Sequence, residues 1–339
     1  MDVRFLWSML SMTNSSTLQL RVAAIDSPHP LLCRLVLRAF DGASLPPYDP
    51  GAHLQVAVHL PDGKVDWRHY SLVNFDASEA ARSRPDHYLL GVRLEPAGRG
   101  GSRFMHGLVV GDTVTARSPR NDFPLGDGNA PALVVAGGIG VTPLVSMVTE
   151  CRRRGRPVRM LYASRSRDQM LFVDELRLLL GDDLSLHADE EAARPVDVAS
   201  VLDTCSPDEV LYVCGPQPLL DALLGEARQR GWPPERIRFE LFSAPQMQLG
   251  DQPFDVVLVG SRQTLRVGVD QSILECLEAA GCDVLADCRR GECGVCVVPV
   301  LDGDVDHRDH VLSTAERDAG KLIQICVSRA KGPRLVLDL

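Results

Sequence analysis

Asp287-Cys288-Arg289-Arg290-Gly291-Glu292-Cys293-Gly294-Val295-Cys296 sets three cysteines in a C-x4-C-x2-C run, and Cys326 supplies a fourth thiol well downstream. This is the ligand spacing of a plant-type [2Fe–2S] cluster. Such a cluster needs a loop that wraps it, so three ligands come from one short segment and backbone N–H groups turn toward sulfur. Gly291 and Gly294 permit that loop, because glycine adopts positive φ and lets the backbone approach closely. A structural zinc site also takes four cysteines, but normally as paired C-x2-C knuckles, and only one such pair stands here. Ordinary buried cysteines do not group at this spacing. Cys276 and Cys282 flank the run without fitting it and read as small core residues.

Around this loop, residues 253–339 form one module: a hairpin over 254–259 and 264–269, a helix over 272–280, then the cysteines. Ahead of it, residues 244–252 turn polar between strand-like flanks and read as a linker. A second pattern occupies 128–243. Ala132-Leu133-Val134-Val135-Ala136 is a buried strand, followed by glycines and a helix over 143–154, with further strands at 158–163, 184–187 and 209–214. Strands alternating with helices imply a parallel, doubly wound sheet. Residues 17–127 lack helical periodicity. Their short apolar runs alternate with turns such as Tyr48-Asp49-Pro50-Gly51, the pattern of a small antiparallel barrel.

The whole chain of 339 residues suits two or three domains. With 45% hydrophobic and 24% charged residues, it is neither a disordered tail nor a disulfide-stapled scaffold. A net charge of −9 argues against nucleic acid and suits a soluble protein that meets another protein. Residues 1–16 read as an N-terminal extension; its apolar run Phe5-Leu6-Trp7 lacks the features of a secretory signal, and Met12 is a second candidate start. No stretch approaches the ~20 apolar residues of a spanning helix, so a cytoplasmic protein without membrane contact is expected. Cysteines clustered in such a chain read as metal or redox chemistry before disulfides; Cys33, Cys151, Cys205 and Cys214 are scattered.

Two further segments point to ligands. Arg68-His69-Tyr70-Ser71-Leu72 sets a ring and a hydroxyl beside a cation; in a flavin site Tyr70 would lie against the isoalloxazine, Ser71 near N5 and Arg68 on phosphate. By itself this reads equally as a half-exposed β edge. Gly91-Val92-Arg93 and Gly98-Arg99-Gly100-Gly101-Ser102 add a strand edge and a glycine turn, with a helix beginning at about Arg103, able to cradle that phosphate; the alternative is a plain turn. Then Gly137-Gly138-Ile139-Gly140-Val141-Thr142-Pro143 follows a buried strand and opens a helix, where Gly138, Gly140 and Thr142 would admit a pyrophosphate. It departs from G-x-G-x-x-G, because Pro143 stands at the third glycine. Cys214-Gly215-Pro216 ends another strand of the same sheet, with Cys214 either a structural thiol or a liner of the hydride path.

In this order, together with Pro119-Arg120-Asn121-Asp122-Phe123-Pro124-Leu125 and Phe239-Glu240-Leu241-Phe242, the segments make residues 17–339 resemble the phthalate dioxygenase reductase and vanillate demethylase reductase family. The resemblance implies a multidomain fold: an antiparallel β-barrel flavin domain (17–127), an α/β doubly wound nicotinamide domain (128–243), a linker (244–252) and an α+β, β-grasp plant-type ferredoxin domain (253–339). It implies FMN rather than FAD, and NADH as donor. Ser71, Cys214, Glu240 and Phe242 would face the reacting rings, with Phe242 covering the flavin where nicotinamide enters. Residues 306–309 and 311–313 resemble the stretch packed behind the cluster. One departure concerns the donor: Ser164-Arg165-Ser166-Arg167 is what a 2′-phosphate attracts, which keeps NADPH open.

Nicotinamide delivers two electrons as hydride and the cluster accepts one, so a flavin must stand between them. The expected path runs from NADH to FMN, then to the cluster, then to the Rieske-type oxygenase component of an aromatic-ring oxygenase or O-demethylase system. A cytochrome P450 would need the same modules. A zinc- or redox-sensing regulatory module is the reading from another class, and it predicts a colourless protein without flavin.

Overall fold

The computed structural model describes residues 17–242, 248 and 250–339. The N-terminal extension and most of the expected linker, residues 243–247 and 249, lie outside the described residues. The chain divides into two compact units, Met1–Phe239 and Glu240–Leu339.

The first unit opens with strands β1 (Thr17–His29), β2 (Leu32–Ala39), β3 (His53–His59), β4 (Val65–Val73), β5 (Tyr88–Arg93) and β6 (Thr113–Arg120), closed into a barrel in the order β1-β2-β5-β4-β3-β6. Closure is antiparallel pairing of β1 with β6, Leu20 opposite Val114, which leaves no exposed strand edge. Leu20, Val22, Leu35, Leu37, Leu54, Val56 and Leu90 fill its interior. Two short helices interrupt this stretch, Glu79–Ser83 and α1 (Gly101–His106). The second begins two residues before the expected start at Arg103, because Gly100 at φ 96° turns the chain into it.

The second half of this unit is a parallel sheet of β7 (Ala132–Gly137), β8 (Val158–Ser164), β9 (Leu184–Ala188), β10 (Val210–Cys214) and β11 (Ile237–Glu240), in the order β11-β10-β7-β8-β9. Its neighbouring helices are α2 (Val141–Arg153), α3 (Val173–Leu180) and α4 (Gln217–Gln229). Helix α2 starts ahead of the expected residue 143, since Pro143 sits in the first turn, where no backbone N–H is required. The strand order reverses between β7 and β10, the crevice where doubly wound sheets bind ligands. The two halves share a core: Leu32, Val73 and Phe123 pack with Val141, Leu144 and Phe172. Ser146 on α2 donates to the Leu72 carbonyl at 2.7 Å, and Arg34 on β2 pairs with Glu175 on α3 at 2.6 Å.

The second unit carries β12 (Phe254–Leu258), β13 (Gln263–Val267), α5 (Ile273–Ala279), β14 (Val297–Asp302), β15 (Val305–Asp306), α6 (Thr314–Ala319), β16 (Leu322–Gln324), β17 (Arg329–Ala330) and β18 (Arg334–Leu337). Five strands form a mixed sheet, β13-β12-β18-β14-β16, in which β12 and β18 are parallel. Ile273, Leu274 and Leu277 of α5 pack on it with Phe254, Val256 and Leu335. Both helices carry a capping box, Ser272 with Glu275 and Ser313 with Glu316. Among the described residues no helix is long and apolar enough to cross a membrane.

Candidate functional site

Cys288, Cys293, Cys296 and Cys326 come together in the second unit as two pairs. The thiols of Cys288 and Cys293 hydrogen-bond each other, as do those of Cys296 and Cys326. The hydrogen bond from Cys293 draws Cys288 down to about 5, and that from Cys326 lowers Cys296, while Cys293 and Cys326 are pushed up by the same bonds. Two sulfur pairs suit two irons sharing four thiolates.

The loop also supplies donors. The Arg290 N–H points at Cys288 Sγ (3.3 Å), with further N–H groups of Glu292 and Cys293 on Cys288, Val295 on Cys293 and Gly291 on Cys326. This wrapping requires positive φ at Arg289 (56°), Gly291 (79°) and Gly294 (78°). A Cβ on Gly291 would lie 2.6 Å from Val327 Cγ2 and 3.1 Å from Asp309 Cα. The stretch 306–313 therefore does press on the loop: His310 N donates to the Gly291 carbonyl at 2.9 Å, and buried Asp309 accepts from Leu312 N at 2.8 Å. Glu292, within the loop, pairs with Arg290 at 2.9 Å and accepts from Leu241 N at 2.9 Å.

In the barrel, β4 carries Arg68, Tyr70 and Ser71 opposite Val56, Leu54 and His53 of β3. Ser71 is buried and Tyr70 half-buried; burial pushes the Tyr70 phenol up, against the nearby Arg68 charge. Arg68 lies across Gly101: a Cβ there would stand 2.9 Å from Arg68 Cγ and 3.2 Å from its Nε. The cation and the glycine turn that the sequence suggests for a phosphate are thus neighbours, and Arg68 also pairs with Asp66. Ser102 Oγ accepts the Glu95 N–H at 2.9 Å, and Arg93 pairs with Glu95 at 3.6 Å, so both help shape the turn. Val92 is buried in the barrel core. Gly91 stands against α2, where a Cβ would lie 2.8 Å from Thr142 Cγ2.

At the switch point the glycines serve different ends. Gly138 takes φ 53° with open space around its Cβ position. Gly140 cannot carry a side chain, because its Cβ would lie 2.2 Å from the Cys214 carbonyl oxygen. A Cβ on Gly137 would meet Pro216 Cδ at 2.5 Å, and one on Gly215 the Gly137 Cα at 2.9 Å. Strand ends β7 and β10 are therefore interlocked backbone to backbone. Thr142 is fully buried and its hydroxyl donates to the Ile139 carbonyl at 3.0 Å, so its place is to hold the turn. The Cys214 thiol is likewise fully buried at the end of β10. At the end of β8, Arg167 Nε meets both carboxylate oxygens of Glu191 at 2.7 Å, and Ser166 hydrogen-bonds Asp168. Glu240 is buried at the end of β11, whereas the Phe242 ring is 38% exposed.

Some contacts lie beyond sequence reading. Gln324 is fully buried, and its Oε1 is 3.2 Å from Cys296 Sγ. His53 and His69 stack at 4.4 Å, and His69 meets Gln55, itself held by Arg117. The one available hint for Gln324 is its place two residues before Cys326.

Residues 256–331 match the 2Fe-2S iron-sulfur cluster binding domain, and residues 134–224 the oxidoreductase NAD-binding domain. The vanillate O-demethylase oxidoreductase of Pseudomonas sp. (strain HR199 / DSM 7063) is 39% identical over 303 residues, 88% of this chain and 92% of that protein. The structure of phthalate dioxygenase reductase, described as modular for electron transfer from pyridine nucleotides to [2Fe–2S], superposes with a TM-score of 0.71 at 36% identity, covering 96% of this chain and 98% of that one. Full-length CYP116B46 from Tepidiphilus thermophilus gives a TM-score of 0.69 at 38% identity over 95% of this chain, which spans 42% of that polypeptide. The chain belongs to the phthalate dioxygenase reductase and vanillate O-demethylase reductase family of oxidoreductases.

Proposed function

We propose that this chain is the NADH-dependent reductase component of an oxygenase system, with FMN over the barrel residues of 17–127, NADH on 128–243 and a [2Fe–2S] cluster in 253–339. The observation that carries the reading is the pairing of four thiols, three of them in one loop whose N–H groups point at sulfur. When bound, FMN takes two electrons from NADH and passes them singly to the cluster.

The residues divide the work. Arg68, beside Gly100, Gly101 and Ser102, neutralises the FMN phosphate. Tyr70 and Ser71 would hold and orient the flavin ring, and Gly91, Val92 and Arg93 would form the adjoining strand edge. Gly138 and Gly140 let the NADH pyrophosphate approach the start of α2, over the turn that Thr142 holds. Cys214, Gly215 and Pro216 line the nicotinamide side, with buried Glu240 and the exposed ring of Phe242 as its further groups. Cys288, Cys293, Cys296 and Cys326 hold the cluster. No side chain is assigned as an acid or base. Arg167, held by Glu191, is drawn away from a 2′-phosphate, which supports NADH over NADPH.

The acceptor is the partner oxygenase, for which we infer a Rieske-type protein acting on an aromatic substrate. A second reading, a P450 acceptor, is favoured by the similarity to part of the CYP116B46 polypeptide. The sensor reading has against it the match of residues 256–331 to the 2Fe-2S iron-sulfur cluster binding domain. Ten unbridged cysteines agree with the reducing cytoplasm. The test is anaerobic NADH with purified acceptors: reduction of a Rieske oxygenase component only in the presence of this chain supports the proposal. Reduction of a P450 alone would favour the second reading, and reduction of neither would overturn both.

A further inference from the structure

Of the groups around the four cysteines, Gln324 alone has no place in the account above. It lies at the end of β16, 1% exposed, with its side-chain amide 3.2 Å from Sγ of Cys296, itself 4% exposed. In the thiol form, Cys296 donates to Gln324 Oε1. That arrangement cannot survive cluster binding, because a ligating cysteine has lost its proton and its sulfur can only accept.

A carbonyl oxygen against a thiolate would set two negative groups together in a buried place. The amide has a second face. Its terminal torsion is soft and roughly two-fold, so a half turn exchanges Oε1 for Nε2 and offers an N–H to the sulfur. The hydrogen bond then persists with its direction reversed, and in a buried setting it is worth more than in water.

We propose that Gln324 sets the reduction potential of the cluster by donating its amide N–H to Cys296 Sγ. The inference rests on the four cysteines holding a [2Fe–2S] cluster. An N–H aimed at a ligand sulfur stabilises the form with the extra electron more than the form without it, so it raises the potential. The backbone donors on Cys288, Cys293 and Cys326 belong to the loop itself and come with any sequence that wraps a cluster. Gln324 is a side chain, so it can be varied without rebuilding the loop.

The test uses the full chain as purified, with iron content, visible spectrum and the midpoint potential of the cluster measured for the wild type, Gln324→Met and Gln324→Asn. Methionine keeps length and burial without a donor; asparagine keeps the amide but draws it back by one methylene. Both variants are expected to retain two irons per chain and to be harder to reduce, by about tenfold in the reduction equilibrium for methionine, which for one electron is about 59 mV. A loaded methionine variant with the wild-type potential would overturn the proposal. So would loss of iron from both variants, which would make Gln324 a support of the loop. Absence of iron from the wild type would instead sink the underlying assignment of the cysteines.

Discussion

The backbone carbonyl of Cys214 occupies the space that a side chain on Gly140 would need, only 2.2 Å from where its Cβ would stand. Neither group is the far end of a flexible side chain, so a side chain there could be admitted only by moving backbone. Gly140→Ala should destabilise the first unit by about 1–3 kcal/mol through overpacking. It should also raise the KM for NADH at least about tenfold while leaving reduction by dithionite untouched. Thermal unfolding and steady-state kinetics check the two effects separately.

Arg68 lies against Gly101, where a Cβ would be 2.9 Å from its Cγ. If the guanidinium holds the FMN phosphate, Arg68→Gln should weaken flavin retention by about tenfold or more, the worth of one charge-assisted contact. Iron content should not change, because the cysteines are in the other unit. Flavin and iron assays on the same gel-filtered sample separate these outcomes.

Glu191 meets Arg167 through both carboxylate oxygens at 2.7 Å, with both side chains about half exposed. Glu191→Gln should free Arg167 for a 2′-phosphate and raise kcat/KM for NADPH by about threefold to tenfold, with NADH little changed. Stability should move by less than about 0.5 kcal/mol, since exposed pairs contribute little. Equal loss of activity with both donors would place Arg167 elsewhere.

Buried Glu150 and half-buried Asp251 set the acid limit. The hydrogen bond from Arg153, with Arg154 beside it, holds Glu150 at about 2, and the forked contact of Arg308 holds Asp251 at about 2. Both lie below their unfolded values of about 4.3 and 3.9. The stabilisation is therefore full above about pH 4 and is lost as pH falls toward about 2. Circular dichroism against pH should show it, and Arg308→Ala should cost about 1–2 kcal/mol and lift the lower end of that range, since Asp251 then keeps only the Gln248 N–H and the more distant Arg329.

How much was legible in the sequence follows from where each partner lies. The cysteine loop could be read because three of the four cysteines and both turning glycines sit within residues 288–296. The barrel and the doubly wound sheet showed through alternation and through buried strands. Gly140 reads as a glycine that admits a pyrophosphate, whereas the carbonyl that fills its Cβ position lies on another strand, which no local pattern reveals. Thr142 is expected at the cofactor, and the hydrogen bond of its hydroxyl to the Ile139 carbonyl is a contact that the sequence does not reveal. Arg167 looked available for a phosphate until folding brought Glu191 beside it. Gln324 reads as an ordinary strand residue, since its meaning depends on β16 lying against Cys296. The polar run after residue 243 read as free linker, whereas Asp251 at its end is pinned by Arg308.

The most direct measurement is the visible spectrum of the purified chain during anaerobic addition of NADH, with flavin and iron determined on the same sample. The account predicts a brown-yellow protein that bleaches on NADH addition, releases FMN and contains two irons per chain. A colourless protein that binds zinc at Cys288, Cys293, Cys296 and Cys326 would contradict it.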